Sequence, residues 1–192
     1  TFNNTAPTLY QWINFTGNIT DETGLLYGNW TYNISGSVTK LNYTLSGFSA
    51  QISNITQLNF AGVFNFTLFA TDTNNNVKQN STLITVIDNV FPIVNTTFNT
   101  STFKVGQVIN FTGNITDETG LSTANITYNM SGILTKINFT LSGTSAQISN
   151  ATKITTGRGS VINFTMYVTD TSNNVRQNST LITVANTLPI VN

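Results

Sequence analysis

The chain has 192 residues, of which seven are Lys or Arg and seven are Asp or Glu, so its formal net charge is zero. It contains no His and no Cys, which excludes imidazole acid–base chemistry, thiol catalysis, disulfides and metal sites built from these residues. The lack of a basic run removes the electrostatic basis for nucleic-acid binding, and no apolar run reaches the roughly 18 residues that a membrane-spanning helix requires.

Short segments along the first half of the chain alternate apolar and polar residues. In chain order they cover 13–20, 29–34, 41–45 and 64–68, with Gly, Asn and Asp clusters between them. A period of two over short runs predicts antiparallel strands with one face in water, and no stretch keeps the period of a helix. About seven such strands in about 96 residues indicate a two-sheet sandwich of the immunoglobulin type.

The second half of the chain repeats the first. Residues 13–25 return unchanged at 109–121, and residues 80–86 return at 178–184 after a two-residue insertion. Each copy has the usual size of one domain. The sequence therefore predicts an all-β fold of two tandem immunoglobulin-like antiparallel β-sandwich domains, residues 1–90 and 91–187, with 188–192 as the start of a next repeat or a donor-type tail strand.

The closing segments of the copies resemble those of prokaryotic immunoglobulin-like surface repeats. Residues 66–72 end in Ala-Thr-Asp, an Asn-rich turn follows, residues 82–88 are rich in Thr, Ile and Val, and Pro92 opens the next copy. The Asn-x-Thr-rich style of residues 14–21 is similar to tandem repeats of archaeal cell-surface proteins. The resemblance implies an extracellular position on the cell surface.

The repeat boundary raises the question of what opens the first domain. Pro-Ile-Val-Asn at 92–95 leads into Thr97, whose counterpart in the first copy is Thr1, and the same four residues recur at the end of the sequence. This register fits a covalent array, a subunit whose tail completes the next subunit by strand addition, or an arbitrary boundary. The predicted inter-subunit strand consists of Leu188, Pro189, Ile190, Val191 and Asn192.

The Asn-x-Ser/Thr sequon of N-glycosylation occurs 19 times. Strand alternation alone raises this number, because Asn and Thr both occupy the wet face. The placement nevertheless fits acceptors on outward-facing strand positions, and covalent N-glycans would keep a chain of zero net charge soluble. The candidate acceptors are Asn14, Asn18, Asn29, Asn33, Asn42, Asn54, Asn65, Asn80, Asn110, Asn114, Asn125, Asn129, Asn138, Asn150, Asn163 and Asn178. Exposed side chains are expected at 14, 42, 65, 110, 138 and 163.

The carboxylates are few and concentrated in loops. Asp88 lies in the linker, Asp117 and Glu118 follow a predicted strand, and Asp170 lies in the last hairpin. In an immunoglobulin-type sandwich these loops share one pole, so the four side chains are predicted to converge at the domain junction as oxygen ligands for Ca²⁺. The arrangement resembles the inter-domain calcium sites of cadherin-like repeats. The alternative is that each Asp caps its own turn without a metal.

These observations favour a structural protein over an enzyme. Adjacent Asp21 and Glu22 point apart along an extended chain, which is poor geometry for paired acid–base catalysis. The predicted function is a structural repeat segment of an extracellular, glycosylated cell-surface filament or stalk, joined end to end to copies of itself or to neighbouring repeats. The alternative function is a glycan- or receptor-binding segment of an adhesin or a virus tail fibre. No cofactor is expected other than the junction Ca²⁺.

Overall fold

The computed structural model describes residues 1–34 and 36–186. Contacts divide the chain into two units, Thr1–Asn89 and Val90–Asn192, so the boundary lies one residue before the one predicted from the sequence. The predicted tail strand, 188–192, lies outside the described residues.

Every regular element of the described residues is a β-strand. The strands of the first unit are β1 (Trp12–Thr20), β2 (Leu25–Asn33), β3 (Val38–Thr44), β4 (Ser49–Gln57), β5 (Gly62–Asp72) and β6 (Val77–Val86). Those of the second unit are β7 (Ile93–Phe98), β8 (Val108–Thr116), β9 (Leu121–Met130), β10 (Ile133–Thr140), β11 (Ser145–Lys153), β12 (Val161–Asp170) and β13 (Val175–Thr183).

The second unit is a sandwich of a three-stranded and a four-stranded sheet. Its sheets have the orders β11-β8-β7 and β10-β9-β12-β13, and all neighbouring strands are antiparallel. The first unit has the four-stranded sheet β3-β2-β5-β6, but among the described residues its other sheet contains only β1 and β4. The architecture confirms the predicted all-β fold of tandem immunoglobulin-like sandwiches.

The apolar residues that recur at every second position form the buried face of the strands. In the second unit the fully buried ring of Phe164 stacks on Tyr128, with ring centroids 4.9 Å apart, and also contacts Phe98 and Phe111 at 5.2 and 5.4 Å. Aromatic rings bury large apolar areas and gain further from tilted and edge-to-face contacts. These rings therefore form the centre of the core between the two sheets.

Glycine is required where β8 approaches the opposite sheet. A Cβ atom on Gly113 would overlap the Met166 sulfur, and one on Gly17 would overlap the Leu68 side chain at the equivalent place in the first unit. A methyl group at either position would have to displace the end of the Met166 or Leu68 side chain in an interior that is packed as closely as an organic crystal. The repeated Thr-Gly-Asn sequence thus marks a place where a side chain of the opposite sheet packs directly against the strand backbone.

Candidate functional site

Strand β7 of the second unit is held from two sides. Its backbone pairs with β8 in the register Ile93 to Thr116, Val94 to Ile115 and Asn95 to Asn114. On the other side Asn178 Nδ2, on β13, donates a hydrogen bond to the Val94 carbonyl over 2.8 Å. The Val94 side chain is only 7% exposed, whereas Ile93 is 61% exposed. Of its Ile-Val pair, β7 therefore directs Val94 into the core and Ile93 towards solvent.

The equivalent edge of the first unit is only partly covered. The N-terminal ammonium of Thr1 donates to the Thr16 carbonyl over 2.6 Å, Thr16 N–H donates to the Thr1 carbonyl over 2.8 Å, and Asn3 N–H donates to Asn14. Alternate residues of a strand direct their backbone groups to the same edge, so Asn18 and Thr20 face this edge too. No strand in the described part of the chain pairs with them there.

A groove of about 230 Å³ lies beside this open edge. Its lining consists of Asn18, Ile19, Thr20, Leu68, Ala70, Lys78, Gln79 and Asn80. Leu68 and Ala70 are half-buried, whereas their counterparts in the second unit, Met166 and Val168, are fully buried. The first unit therefore presents a sheet edge and an apolar floor at the place where the second unit holds β7.

The role of Asn178 in holding β7 is not evident from its motif. Asn178 and its counterpart Asn80 each begin an Asn-Ser-Thr sequon, which predicts glycosylation acceptors. The structure shows that Asn178 holds β7 through its side-chain amide, while Asn80 is exposed in the groove. The sequence contained one signal, the recurrence of this Asn in both copies, but the sequon explained the recurrence equally well.

The acidic turns of the second unit bring two buried carboxylates together. Asp117 Oδ1 accepts hydrogen bonds from Thr119 N–H at 3.0 Å, the Thr119 hydroxyl at 2.9 Å and Gly120 N–H at 2.8 Å. Asp170 Oδ1 accepts from Ser172 N–H and Asn174 N–H, each over 2.8 Å. One carboxylate oxygen of Asp117 and one of Asp170 lie within 4.8 Å of each other.

The same turns in the first unit are more open to solvent. The pKa of Asp21 lies below its usual value, chiefly because the Thr23 hydroxyl donates to it over 2.6 Å. The pKa of Asp72 is also lowered, first of all by the side-chain amide of Asn76, which donates to Oδ2 over 2.8 Å. Asn75, in the turn that Asp72 caps, has a φ of 66°, a conformation that Asn tolerates well.

The remaining residues of the predicted calcium site belong to different parts of the chain. Asp88 is buried and belongs to the first unit, whereas Glu118 is exposed and belongs to the second. Convergence of Asp88, Glu118, Asp117 and Asp170 at the domain junction stays a prediction. Within the second unit, the structure brings together Asp117 and Asp170.

None of the 16 candidate glycosylation residues is fully buried. The side chains of Asn14, Asn42, Asn65, Asn138 and Asn163 are exposed, as expected. The expectation is wrong for Asn110, which is half-buried and whose Oδ1 is buried without a hydrogen-bond partner. The half-buried residues of the set are Asn29, Asn54, Asn110, Asn125, Asn150 and Asn178, and the exposed ones are Asn14, Asn18, Asn33, Asn42, Asn65, Asn80, Asn114, Asn129, Asn138 and Asn163.

Comparison with solved structures supports the assignment of the fold. No protein-family model matches the chain, and no curated protein matches it. A tetra-tandem repeat in the extending region of a large adhesion protein has 18% identity and a TM-score of 0.53, over 96% of this chain and 48% of that chain. This chain thus spans about half the length of that structure. The likeness supports immunoglobulin-like tandem repeats as the fold.

Two further solved structures are similar at lower scores. The fibronectin(III)-like modules of Clostridium thermocellum CbhA have 14% identity and a TM-score of 0.38, over 96% of this chain and 93% of that chain. A structure concerned with host cell surface retention of a 1.5-MDa bacterial ice-binding adhesin has 12% identity and a TM-score of 0.38, over 95% of this chain and 66% of that chain. Within the described residues no helix has the length and apolar character to cross a membrane.

Proposed function

We propose that the chain is a structural repeat segment of an extracellular, glycosylated cell-surface filament or stalk of the archaeal type, in which copies join end to end. Its work is mechanical, in spacing, sheathing or adhesion, and involves no catalysis. The adhesion protein whose repeats resemble this fold carries them in an extending region, which supports a role in an extended array.

The open groove of the first unit carries this proposal. An exposed sheet edge with an apolar floor is a template for pairing with another strand. Residues 189–192 repeat the Pro-Ile-Val-Asn sequence of 92–95, which fills the same groove in the second unit. We assign the groove to this tail segment of a neighbouring copy, paired antiparallel to β1.

The register within the second unit gives the expected contacts. Val191 takes the place of Val94, lies opposite Ile19 and covers Leu68. The Asn80 amide then donates to the Val191 carbonyl, as Asn178 does to Val94. Pro189 precedes the paired residues, where its missing N–H costs nothing.

The buried area of such a strand is small. Burial of one Val side chain contributes about 1.5–3 kcal/mol, which alone corresponds to binding weaker than millimolar. The backbone hydrogen bonds of Asn18 and Thr20, which are otherwise open to water, add about 0.5–1.5 kcal/mol each. The test therefore traps the contact covalently instead of relying on its affinity.

Engineered cysteines join the groove to the tail, because the natural chain has none. Asn18→Cys and Asn192→Cys lie opposite each other if the tail follows the register of Asn95 and Asn114. A short bismaleimide should then link separate chains into a ladder of multimers on denaturing gels. The single variant Asn18→Cys should give no product larger than a dimer.

The matched control is the pair Asn95→Cys and Asn114→Cys. These positions are paired within one chain, so the same reagent should link them internally without forming multimers. If the control pair reacts and the 18/192 variant stays monomeric at high protein concentration, strand exchange between copies is wrong.

A second candidate function, glycan binding, rests on exposed aromatic side chains of the first unit. Trp12 is 59% exposed and Tyr10 is 47% exposed. In the second copy Val108 stands in place of Trp12, and Gly106 in place of Tyr10. Trp30, in contrast, is buried in the core. An aromatic pair that the repeat does not preserve fits a ligand-specific face. Loss of glycan binding in a Trp12→Ala variant would support this function.

A further inference from the structure

Asp117 has one carboxylate oxygen that no hydrogen-bond donor reaches. The residue is 6% exposed, and its Oδ2 is buried without a partner, while Oδ1 accepts three hydrogen bonds from the turn. Buried oxygens of carboxylates are normally paired, because desolvation without compensation costs free energy. The turn therefore supplies hydrogen-bond donors to Oδ1, whereas Oδ2 has none.

A second buried acid of the same unit lies close to Asp117. Asp170 is fully buried, and one of its carboxylate oxygens lies within 4.8 Å of one from Asp117. Two ionised carboxylates at this distance repel each other, more strongly in a buried place than in water. A cation between them, or one shared proton, would relieve the repulsion.

The hydrogen bonds around both carboxylates fix their positions in advance. Asp170 Oδ2 accepts the side-chain amide of Asn174 over 2.8 Å, and its Oδ1 accepts two backbone N–H groups. These contacts leave further lone pairs on both acids, because a carboxylate has about four acceptor sites. Rigid oxygen donors that are already in place suit a hard cation.

The first unit provides a natural comparison at the equivalent position. Asp21 is only half-buried, and the Thr23 hydroxyl that donates to it also lies 3.4 Å from Asp72 Oδ2. No oxygen of Asp21 is buried without a partner. Of the two equivalent acids, Asp117 alone has an orphaned buried oxygen, although the loop sequence around Asp21 is identical.

We propose that Asp117 and Asp170 bind a divalent cation, Ca²⁺, in the second unit. Ca²⁺ takes six to eight oxygen ligands in flexible geometry, whereas Mg²⁺ demands a near-ideal octahedron and gives up its water reluctantly. Two carboxylates that keep free lone pairs therefore suit Ca²⁺ better than Mg²⁺. This site is independent of the proposed strand exchange and of glycosylation.

Calorimetry of the full chain tests the site. Extracellular calcium sites have Kd values of about 10⁻⁴–10⁻³ M, so about 10 mM Ca²⁺ saturates them. Binding only to the folded state should raise the Tm of the second unit by at least about 4 °C relative to EDTA. Both Trp residues lie in the first unit, so the shifted transition should be one that Trp fluorescence does not follow.

Variants separate metal binding from turn capping. Asp117→Asn keeps an Oδ1 acceptor for the turn and removes the repulsion, so its Tm in EDTA should equal or exceed that of the wild type. Its response to Ca²⁺ should disappear, whereas Asp21→Asn, the matched control, should keep the full response. Isothermal titration with CaCl₂ should show the same loss at Asp117.

Two different results would overturn the calcium proposal. If Ca²⁺ leaves the wild-type Tm unchanged and acid raises it, the two carboxylates share a proton and the proposal is wrong. If Asp117→Asn and the wild type respond equally to Ca²⁺, the ion acts elsewhere and the proposal is again wrong.

Discussion

Asn178 donates its side-chain amide to the Val94 carbonyl over 2.8 Å, although its motif is that of a glycosylation acceptor. A glycan is attached through that same nitrogen, and it would need space where β7 lies. A glycan on Asn178 would therefore have to share a half-buried place with β7. Asn138 and Asn163 have exposed side chains instead, and their positions leave room for a glycan.

Glycan occupancy is thus expected to differ between sequons. Asn138 and Asn163 should be modified in the native protein and Asn178 should not, and Asn80 should be unmodified wherever its groove holds a strand. Peptide mass spectrometry before and after deglycosylation measures each site. A glycan on Asn178, or unmodified peptides at all sequons, would contradict this expectation.

Asp72 gives the first unit a defined response to acid. Its pKa is lowered in the folded state, first by the Asn76 amide and further by the backbone N–H groups of Asn76 and Asn74. A lowered pKa means that the stabilisation is complete above the unfolded value of about 3.9 and is lost as the pH falls through the folded value. The Tm of the first unit, followed by Trp fluorescence, should fall from pH 6 to pH 3. Asp72→Asn should have a lower Tm at pH 6 and a smaller fall.

At the scale of single elements, alternation predicted β1, β2, β3 and β5 correctly, because the side-chain period of a strand is two and one face must be buried. Ile13, Phe15 and Ile19 are buried on β1 as their spacing requires. The orphan oxygen of Asp117 and the hydrogen bond of Asn178 could not be predicted. Both depend on how separate strands are placed in space, and a one-dimensional pattern contains no such distances.

The packing of the Met166 side chain against Gly113 predicts a large effect from one methyl group. Gly113→Ala would force its Cβ into the Met166 sulfur, and such overpacking costs about 1–3 kcal/mol of unfolding free energy. Gly157→Ala is the control, because its Cβ would meet nothing within 4 Å and should change stability by less than about 1 kcal/mol. Urea unfolding measures both. An equal effect of the two substitutions would mean that the sheets are not tightly packed at Gly113.

At the scale of the whole molecule, the two copies have similar sequences but differ at one sheet edge. The second unit completes its three-stranded sheet with β7, whereas the edge of β1 that faces away from β4 has no backbone partner beyond Thr16 among the described residues. The difference is informative because residues 13–20 of β1 and 109–116 of β8 are identical, and of the two it is β8 that carries a further strand. The proposed strand exchange rests on this open edge and on the recurrence of Pro-Ile-Val-Asn at 189–192.

The most direct test of end-to-end association is bismaleimide cross-linking of the chain with Asn18→Cys and Asn192→Cys over a concentration series, with and without the further substitution Val191→Asp. A charge at residue 191 cannot be buried on the apolar floor formed by Leu68 and Ala70 without a large desolvation cost. The account predicts that the cysteine pair alone gives a ladder of multimers on denaturing gels, and that Val191→Asp abolishes this ladder. A chain that stays monomeric at every concentration, or an equal ladder with Val191→Asp, would contradict it.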